Sequence, residues 1–491
     1  MPELTALSLL PVLVTLVVAL GVRNVLVGLF SGVLVGVAIL ADSGLLLFIP
    51  TLVRDYLVPQ VADTYNASVL VLLAFIGGFV KLIERSGGGT AFAATVVRWV
   101  SGRIRAQLGA WIGGIMIFFS DLGTPLIVGP VFQPLMDRLK LSRQKLAFIL
   151  DSTSSPVAIL IPFIGWGVFT MSVIADAFAA NAITMPEWDA FVAAIPYQFY
   201  AWLAIAMVPA MTLLDFDYGP MREAERKARD TEVTPVTAKQ TGAARPIFVW
   251  LPLIVLGVTL FATLAHHGFP FEQVAGSDFR AGLSAAYFLA AVSLVLLIVV
   301  YRSDSLLASF MYYIDGMTGM MPIAATLVLA WALGSVSEAL GTGPYVAEIA
   351  REGVPGWLMP AITFLLAAII SFASGSSWGT IIIMMPLAIP AAIATGATLP
   401  VVIGAVLSGG LFGDHSSPVS ETTILSSTGA GTTPIEHFRT QLPYALFNGS
   451  LAFGGFLLVG ITAQPSIVIV LVVAQIGMLL LLRRNARSAM K

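Results

Sequence analysis

The sequence predicts an all-α integral membrane protein, with about eleven transmembrane helices plus two re-entrant hairpins in two inverted-topology repeats. Three observations predict it. The chain of 491 residues is 58% hydrophobic and only 11% charged, with a mean hydropathy of +0.93; soluble chains carry about 25% charged residues. One pattern then occurs twice in strongly apolar sequence. It reads Ser120-Asp121-Leu122-Gly123-Thr124 with Pro130 and Pro134, and again Ser376-Ser377-Trp378-Gly379-Thr380 with Pro386 and Pro390. Finally, Ser154-Ser155-Pro156-Val157 is echoed by Ser416-Ser417-Pro418-Val419. Gly/Pro-interrupted hydrophobic segments in corresponding positions of two halves point to the binding site of a secondary transporter.

Residues 1–214 read as the first repeat. Apolar stretches at 4–22, 24–41 and 67–83 are long enough to span, since a crossing takes about 20 residues. The first lacks a basic leader and an Ala-x-Ala-like cleavage site, so a retained helix is expected. Gly28, Gly32 and Gly36 form a helix-packing face.

Residues 106–136 would be about 46 Å long as one helix, too long for one crossing and too short for two. Arg98, Arg103 and Arg105 precede this segment, and Arg138, Lys140, Arg143 and Lys145 follow it. Short cytoplasmic loops collect Lys and Arg, so both ends are expected on that side. The segment then reads as a hairpin with Asp121 to Pro125 at its tip. A helix broken at Ser154-Ser155-Pro156 (147–175) and a span at 197–214 complete the repeat.

Residues 215–246, with Arg222, Arg226, Lys227, Arg229, Lys239 and Arg245, read as a cytoplasmic linker. The second repeat, 247–463, has spans at 247–265, 282–301 and 322–340, a hairpin at 358–395, a broken helix at 399–424 and a span at 443–463. Around this second hairpin the only flanking base is Arg351, beside Glu348 and Glu352, so entry from outside is expected. Residues 464–491 add an extra helix (466–482) and a basic tail of Arg483, Arg484, Arg487 and Lys491. The count places the N-terminus outside and the C-terminus in the cytoplasm, in a multi-pass protein of the plasma (inner) membrane.

An acid inside a membrane segment is costly, and it marks a functional site by default. Asp121, Asp151, Asp414 and Glu421 qualify; the bland reading of each is a helix cap or a packed carboxylate. Hydroxyls crowd the four breaks: Ser120, Thr124, Ser152, Thr153, Ser154, Ser155, Ser376, Ser377, Thr380, Ser416, Ser417, Ser420, Thr422 and Thr423. Any single one more often bonds its own helix, but together they offer hard oxygens suited to Na+. A carboxylate that holds either a proton or a cation gives the simplest antiport. His415 reads as a proton relay or a histidine bonding a loop carbonyl, and Trp378 as a cavity wall or a packing residue.

From Gly413-Asp414-His415-Ser416-Ser417-Pro418-Val419-Ser420-Glu421-Thr422-Thr423 to Ser427, and at the two tips, the chain resembles the NhaC family of Na+/H+ antiporters. The similarity runs from about residue 70 onward. It implies Na+ or H+ coupling at Asp414 and its hydroxyl neighbours, an inverted-repeat fold and a homodimer. The family commonly has Asp where Glu421 stands and Cys where Ser416 stands. It also includes exchangers of organic solutes such as malate and lactate.

Two functions are therefore expected in order: cation/proton antiport, then ion-coupled transport of an organic solute. A channel fits paired inverted repeats less well. No enzyme is expected, because the Gly375-Ser376-Ser377-Trp378-Gly379 match to a nucleophile elbow lacks the required strand-turn-helix. With no cysteine, thiol chemistry, disulfides and Cys-based metal sites are excluded, and four scattered histidines make a resident metal cluster implausible. No cofactor is expected beyond the transported Na+ and H+. A net charge of −2 offers nothing to nucleic acid. The partners expected are a small ion or small molecule and the lipid bilayer.

Overall fold

The computed structural model describes residues 6–22, 24–40, 45–98, 101–121, 123–230, 245–268, 274 and 276–488. Leu122, the linker stretch 231–244 with Lys239, and Lys491 lie outside the described residues. Regular structure among the described residues is all helical. Seven helices are long and apolar enough to cross a bilayer, and an eighth if Glu187–Tyr197 and Phe199–Leu214, bent by 46°, are one span. Val258, Phe261, Leu296, Val473 and Leu481 stand exposed on their outer faces, an apolar exterior suited to lipid.

Several expected spans are organised differently. Ala6–Val22 and Val25–Leu40 are short apolar helices packed side by side. A Cβ at Gly28 would lie 2.6 Å from the Ala19 Cβ, and one at Gly32 would lie 2.6 Å from the Pro11 carbonyl oxygen. Their connecting turn reaches the second hairpin, because Val25 covers Gly379. The span expected at 322–340 is the far part of a run from Leu306 to Ala339. The one expected at 443–463 is the far part of Pro434–Thr462. Residues 434–442 are polar and fail a hydropathy test, yet Thr433 and Glu436 form a capping box that starts the helix there.

Both double-length segments fold back on themselves. In hairpin 1, Arg103–Met116 and Gly123–Arg138 are the limbs. Arg103 at the entrance donates to the carbonyls of Leu139 at 2.8 Å and Lys140 at 2.6 Å at the exit. Hairpin 2 has limbs Met359–Ser374 and Ser377–Thr395, and Gly356 abuts the Thr395 carbonyl where its ends meet. Gly375, at φ +68°, makes the turn that a Cβ would disfavour.

The repeated pattern has one structural meaning in both tips. The Ser120 hydroxyl accepts from Gly123 N at 2.9 Å, and Thr124 donates to the Ser120 carbonyl at 2.8 Å. Likewise Ser376 accepts from Gly379 N at 3.2 Å, and Thr380 donates to the Ser376 carbonyl at 2.8 Å. Each Ser caps the first turn of the second limb, satisfying donors that helix geometry leaves free.

A further echo is visible only in the structure. Thr64–Ser86 and Met321–Ala339 are each followed by a left-handed glycine, Gly87 at φ +68° and Gly341 at φ +72°. A short amphipathic helix follows each, Gly88–Arg98 and Thr342–Gly353. Glu84 and Glu338 occupy the same place before these glycines, and their carbonyls take the glycine N–H.

The linker begins as an amphipathic helix, Gly219–Asp230, laid over the end of the bundle where hairpin 1 opens. Glu225 accepts from Ser142 N at 2.8 Å, from the Ser142 hydroxyl at 2.7 Å and from Arg103 at 2.6 Å. Lys145 is buried and pairs with Asp217. A cavity of about 950 Å³ opens on this basic face, lined among others by Lys140, Arg143, Lys227, Glu436, Arg439 and Thr440.

Candidate functional site

Helix Leu399–His415 ends at Ser416, and Glu421–Ala430 resumes the path after a break. Proline at 418 removes a backbone donor and crowds the preceding turn, which favours a break there. The break brings three oxygen-bearing side chains together. Asp414, only 2% exposed, accepts from the Ser420 hydroxyl at 2.5 Å and from the Thr422 hydroxyl at 3.3 Å. Those hydroxyls lie 2.9 Å apart. Thr423 donates to the Ser417 carbonyl at 3.2 Å, and Ser416 bonds back to the Phe412 carbonyl. The tip of hairpin 2 closes one side, since Gly375 lies against the Val419 carbonyl. Ser377 is buried against the same helix near Gly410.

The broken helix of the first half runs Arg143–Thr153, then Ser155–Ala158, then Gly165–Ala180. Asp151 at its first break is fully buried. Its partners come from the second half. Gln441 and His437, the latter at 3.3 Å, reach one carboxylate oxygen; Ser426, at 3.3 Å, and the more distant His415 ring, at 3.9 Å, face the other. Ser154 bonds the Asp151 carbonyl at 3.0 Å, and the Ser155 hydroxyl is buried without a protein partner. His415 thus stands between the two acids, its Nδ1 3.5 Å from the Tyr200 hydroxyl.

At the tip of hairpin 1, Asp121 accepts from the Trp166 indole at 2.5 Å. Trp166 in turn lies 4.4 Å from the ring of Trp378, which is 4.3 Å from Phe169. One indole therefore touches both tips. Ser120 donates to Glu84 at 3.3 Å. Glu421 is exposed at the start of its helix, and it and Asp414 both lie within electrostatic range of Asp121.

The structure therefore joins Asp414, Ser420 and Thr422 directly, and Asp121 with Trp378 through Trp166. It sets Asp151 apart in a polar nest with His415. Sequence reading missed Trp166, Glu84, Tyr200, Ser426, His437 and Gln441. The one local signal was His437 and Gln441, polar residues one helical turn apart on the same face in the polar start of Pro434–Thr462. Chemically, Asp414 with two hydroxyls in a water-poor break is a hard-oxygen cage that suits a proton or a small hard cation.

The model of the Na+/H+ antiporter family matches residues 157–461. A Haemophilus influenzae protein described as an uncharacterized protein is 32% identical over 475 residues, 93% of this chain and 91% of its own. The Bacillus subtilis malate-2H(+)/Na(+)-lactate antiporter is 31% identical over 129 residues, about a quarter of each chain (26% and 28%). The solved Alcanivorax borkumensis YdaH transporter superposes with a TM-score of 0.58 at 16% identity, covering 87% of this chain and 91% of that one, a likeness of fold. These matches identify a multi-pass membrane transporter rather than an enzyme, and the chain belongs to the Na+/H+ antiporter family.

Proposed function

We propose that this antiporter exchanges a monovalent cation, Na+ in the first place, for protons, with Asp414 as the group for which the two compete. The observation that carries this reading is the Asp414–Ser420–Thr422 cage at a helix break. An ionised carboxylate is unfavourable in so dry a place unless a proton or a cation neutralises it. Loss of one charge therefore makes room for the other, which is the thermodynamic core of exchange. Asp121, Asp151, Glu421 and His415 contribute the surrounding field. The hydroxyls and carbonyls of Ser416, Ser417 and Thr423 form the second layer of the cage. The two hairpin tips, pinned by Trp166 between them, are the parts that alternate access. The basic face faces the cytoplasm, in keeping with the positive-inside rule, and the protein works as a homodimer in the plasma membrane.

The test is a proteoliposome with a pH dye inside. Na+ or Li+ should drive proton efflux, and Asp414→Asn should abolish it. Cation-independent movement of an organic anion or amine instead would refute the cation reading.

A second reading is favoured by the Trp166–Trp378–Phe169 cluster, which offers an apolar wall beside the acids. An organic solute coupled to Na+ or H+ would use the same tips, as the malate and lactate of the Bacillus subtilis relative suggest.

A further inference from the structure

We propose that Asp151 and His437 form a second proton-binding site, separate from Asp414 and reached from the basic face. The inference deepens the antiport reading and rests on it for its role in the cycle, but not for its existence. Four elements from both halves of the chain converge on it. Asp151 comes from Arg143–Thr153, His415 from Leu399–His415, Ser426 from Glu421–Ala430, and His437 with Gln441 from Pro434–Thr462. Asp151 and His437 are both 0% exposed.

Three polar atoms around the acid have no hydrogen-bond partner: His437 Nδ1, His415 Nε2, which is 3.9 Å from the Asp151 carboxylate, and the Gln441 side-chain oxygen. All three residues are at least nine-tenths buried. Native interiors rarely leave such atoms unused, so each calls for an explanation such as an unseen water or ion. Protonation of His437, whose Nε2 lies 3.3 Å from Asp151, supplies one for the pair. A buried carboxylate is tolerated when an opposite charge balances it, and protonating His437 supplies that charge. Its Nδ1 then gains a hydrogen to donate to a water. The pair holds one proton more in its charged state than in the state with a neutral imidazole.

The groups that face the pair are few. His415 and Tyr200 adjoin it, and Asp414 lies beyond His415. Lys145, Asp217 and Tyr444 form a closed set of their own farther along the first broken helix. A cavity approaches the pair from one side. The large cavity of the basic face is lined by Glu436, Arg439 and Thr440, and Thr440 donates to the His437 carbonyl at 2.9 Å. Thr440 is thus next in sequence to Gln441 and bonded to His437, so the cavity ends about one helical turn from the pair.

The experiment counts protons taken up by purified protein in detergent between pH 8.5 and 5.5, without Na+, after size exclusion has shown a folded species. Wild type should bind about one proton more than His437→Gln, and likewise about one more than Asp151→Asn, which removes the counter-charge. The double variant Asp414→Asn/His437→Gln should bind about two fewer than wild type. Equal uptake by wild type, His437→Gln and Asp151→Asn overturns the proposal. So does a double variant that loses only about one proton when each single variant also loses one, because the two sites would then share it. If Asp414→Asn alone changes nothing while His437→Gln loses its proton, the competition at Asp414 fails and the second site stands.

Discussion

The indole of Trp166 donates to the Asp121 carboxylate at 2.5 Å. The donor belongs to the first broken helix and the acceptor to the tip of hairpin 1, and the same ring packs, tilted by 46° at 4.4 Å between centroids, against Trp378 of hairpin 2. Opening either tip must therefore break a contact with this one side chain. Hydrogen bonds to charged groups contribute about 1.5–3 kcal/mol. Trp166→Phe keeps a ring against Trp378 and removes only the donor. Removing a bond that opening must break lowers that barrier, so where opening limits the cycle we expect transport to quicken by about tenfold, with expression and monodispersity kept, in a proteoliposome uptake assay. A variant that transports at the wild-type rate would show that the tips move without consulting this bond.

At Asp414 the two hydroxyls bind unequally. Ser420 is at 2.5 Å and Thr422 at 3.3 Å. Removing one neutral partner of a buried bond costs about 1 kcal/mol, or about fivefold in a binding constant. Ser420→Ala should raise the apparent KM for the cation by about that factor with the saturated rate retained. Thr422→Val should have a smaller effect. Cation titrations of exchange rate read both, and the reverse order would place the cation on the Thr422 side.

The symmetry was legible in the sequence because it is written in local chemistry. Ser120, Gly123 and Thr124 repeat as Ser376, Gly379 and Thr380 since both tips need the same cap. The same fact explains a difference in the site. These four hydroxyls all bond within the tip they belong to, Ser120 reaching Glu84 besides, whereas Ser420 and Thr422 reach Asp414 across a break. The Asp414 group was legible too, its members being six and eight residues apart. Asp151 was legible as a buried acid, but nothing local announces that it meets His437 and Gln441, which lie 286 and 290 residues away. That contact exists only because the two halves interlock. Trp166, 45 residues from Asp121, was hidden for the same reason, and its apolar surroundings made it look like packing.

Hairpin 1 is held to the second broken helix at a backbone crossing. A Cβ at Gly129 would run into the Gly429 carbonyl, and one at Gly429 into the Pro125 carbonyl. Backbone cannot give way as a flexible side chain can, and overpacking costs about 1–3 kcal/mol. Gly129→Ala should lower the thermal midpoint in detergent by several degrees. Gly454→Ala, where nothing lies within 4 Å of the new methyl, should leave it unchanged. Equal midpoints for both variants would mean that the crossing is loose.

Glu225 ties the linker helix to the base of hairpin 1 through Ser142 and Arg103. It stays ordered there because it satisfies the first turn of the broken helix as well as a guanidinium. Glu225→Gln removes the charge and weakens three bonds, one to an arginine that is itself part-buried. A loss of about 2 kcal/mol is expected, visible as a lower thermal midpoint. The loss should shrink when Arg103 is also changed to Gln, since the two changes share an interaction. Strict additivity would show that the pair is not coupled.

The orientation of hairpin 1 can be read directly because the natural chain has no cysteine. Arg105 and Lys140 are both exposed, at opposite ends of the segment, and Arg103 joins those ends through the carbonyls of Leu139 and Lys140. Gln464, exposed just past the far end of Pro434–Thr462, lies at the opposite end of the bundle. Arg105→Cys and Lys140→Cys should therefore react with an impermeant maleimide from one side of the membrane, and Gln464→Cys from the other. In inside-out vesicles the first two should label without permeabilisation and the third only after it. Labelling of Arg105→Cys and Lys140→Cys from opposite sides would make the segment a crossing. The inverted repeat, which requires that each hairpin enter and leave by one face, would fall with it.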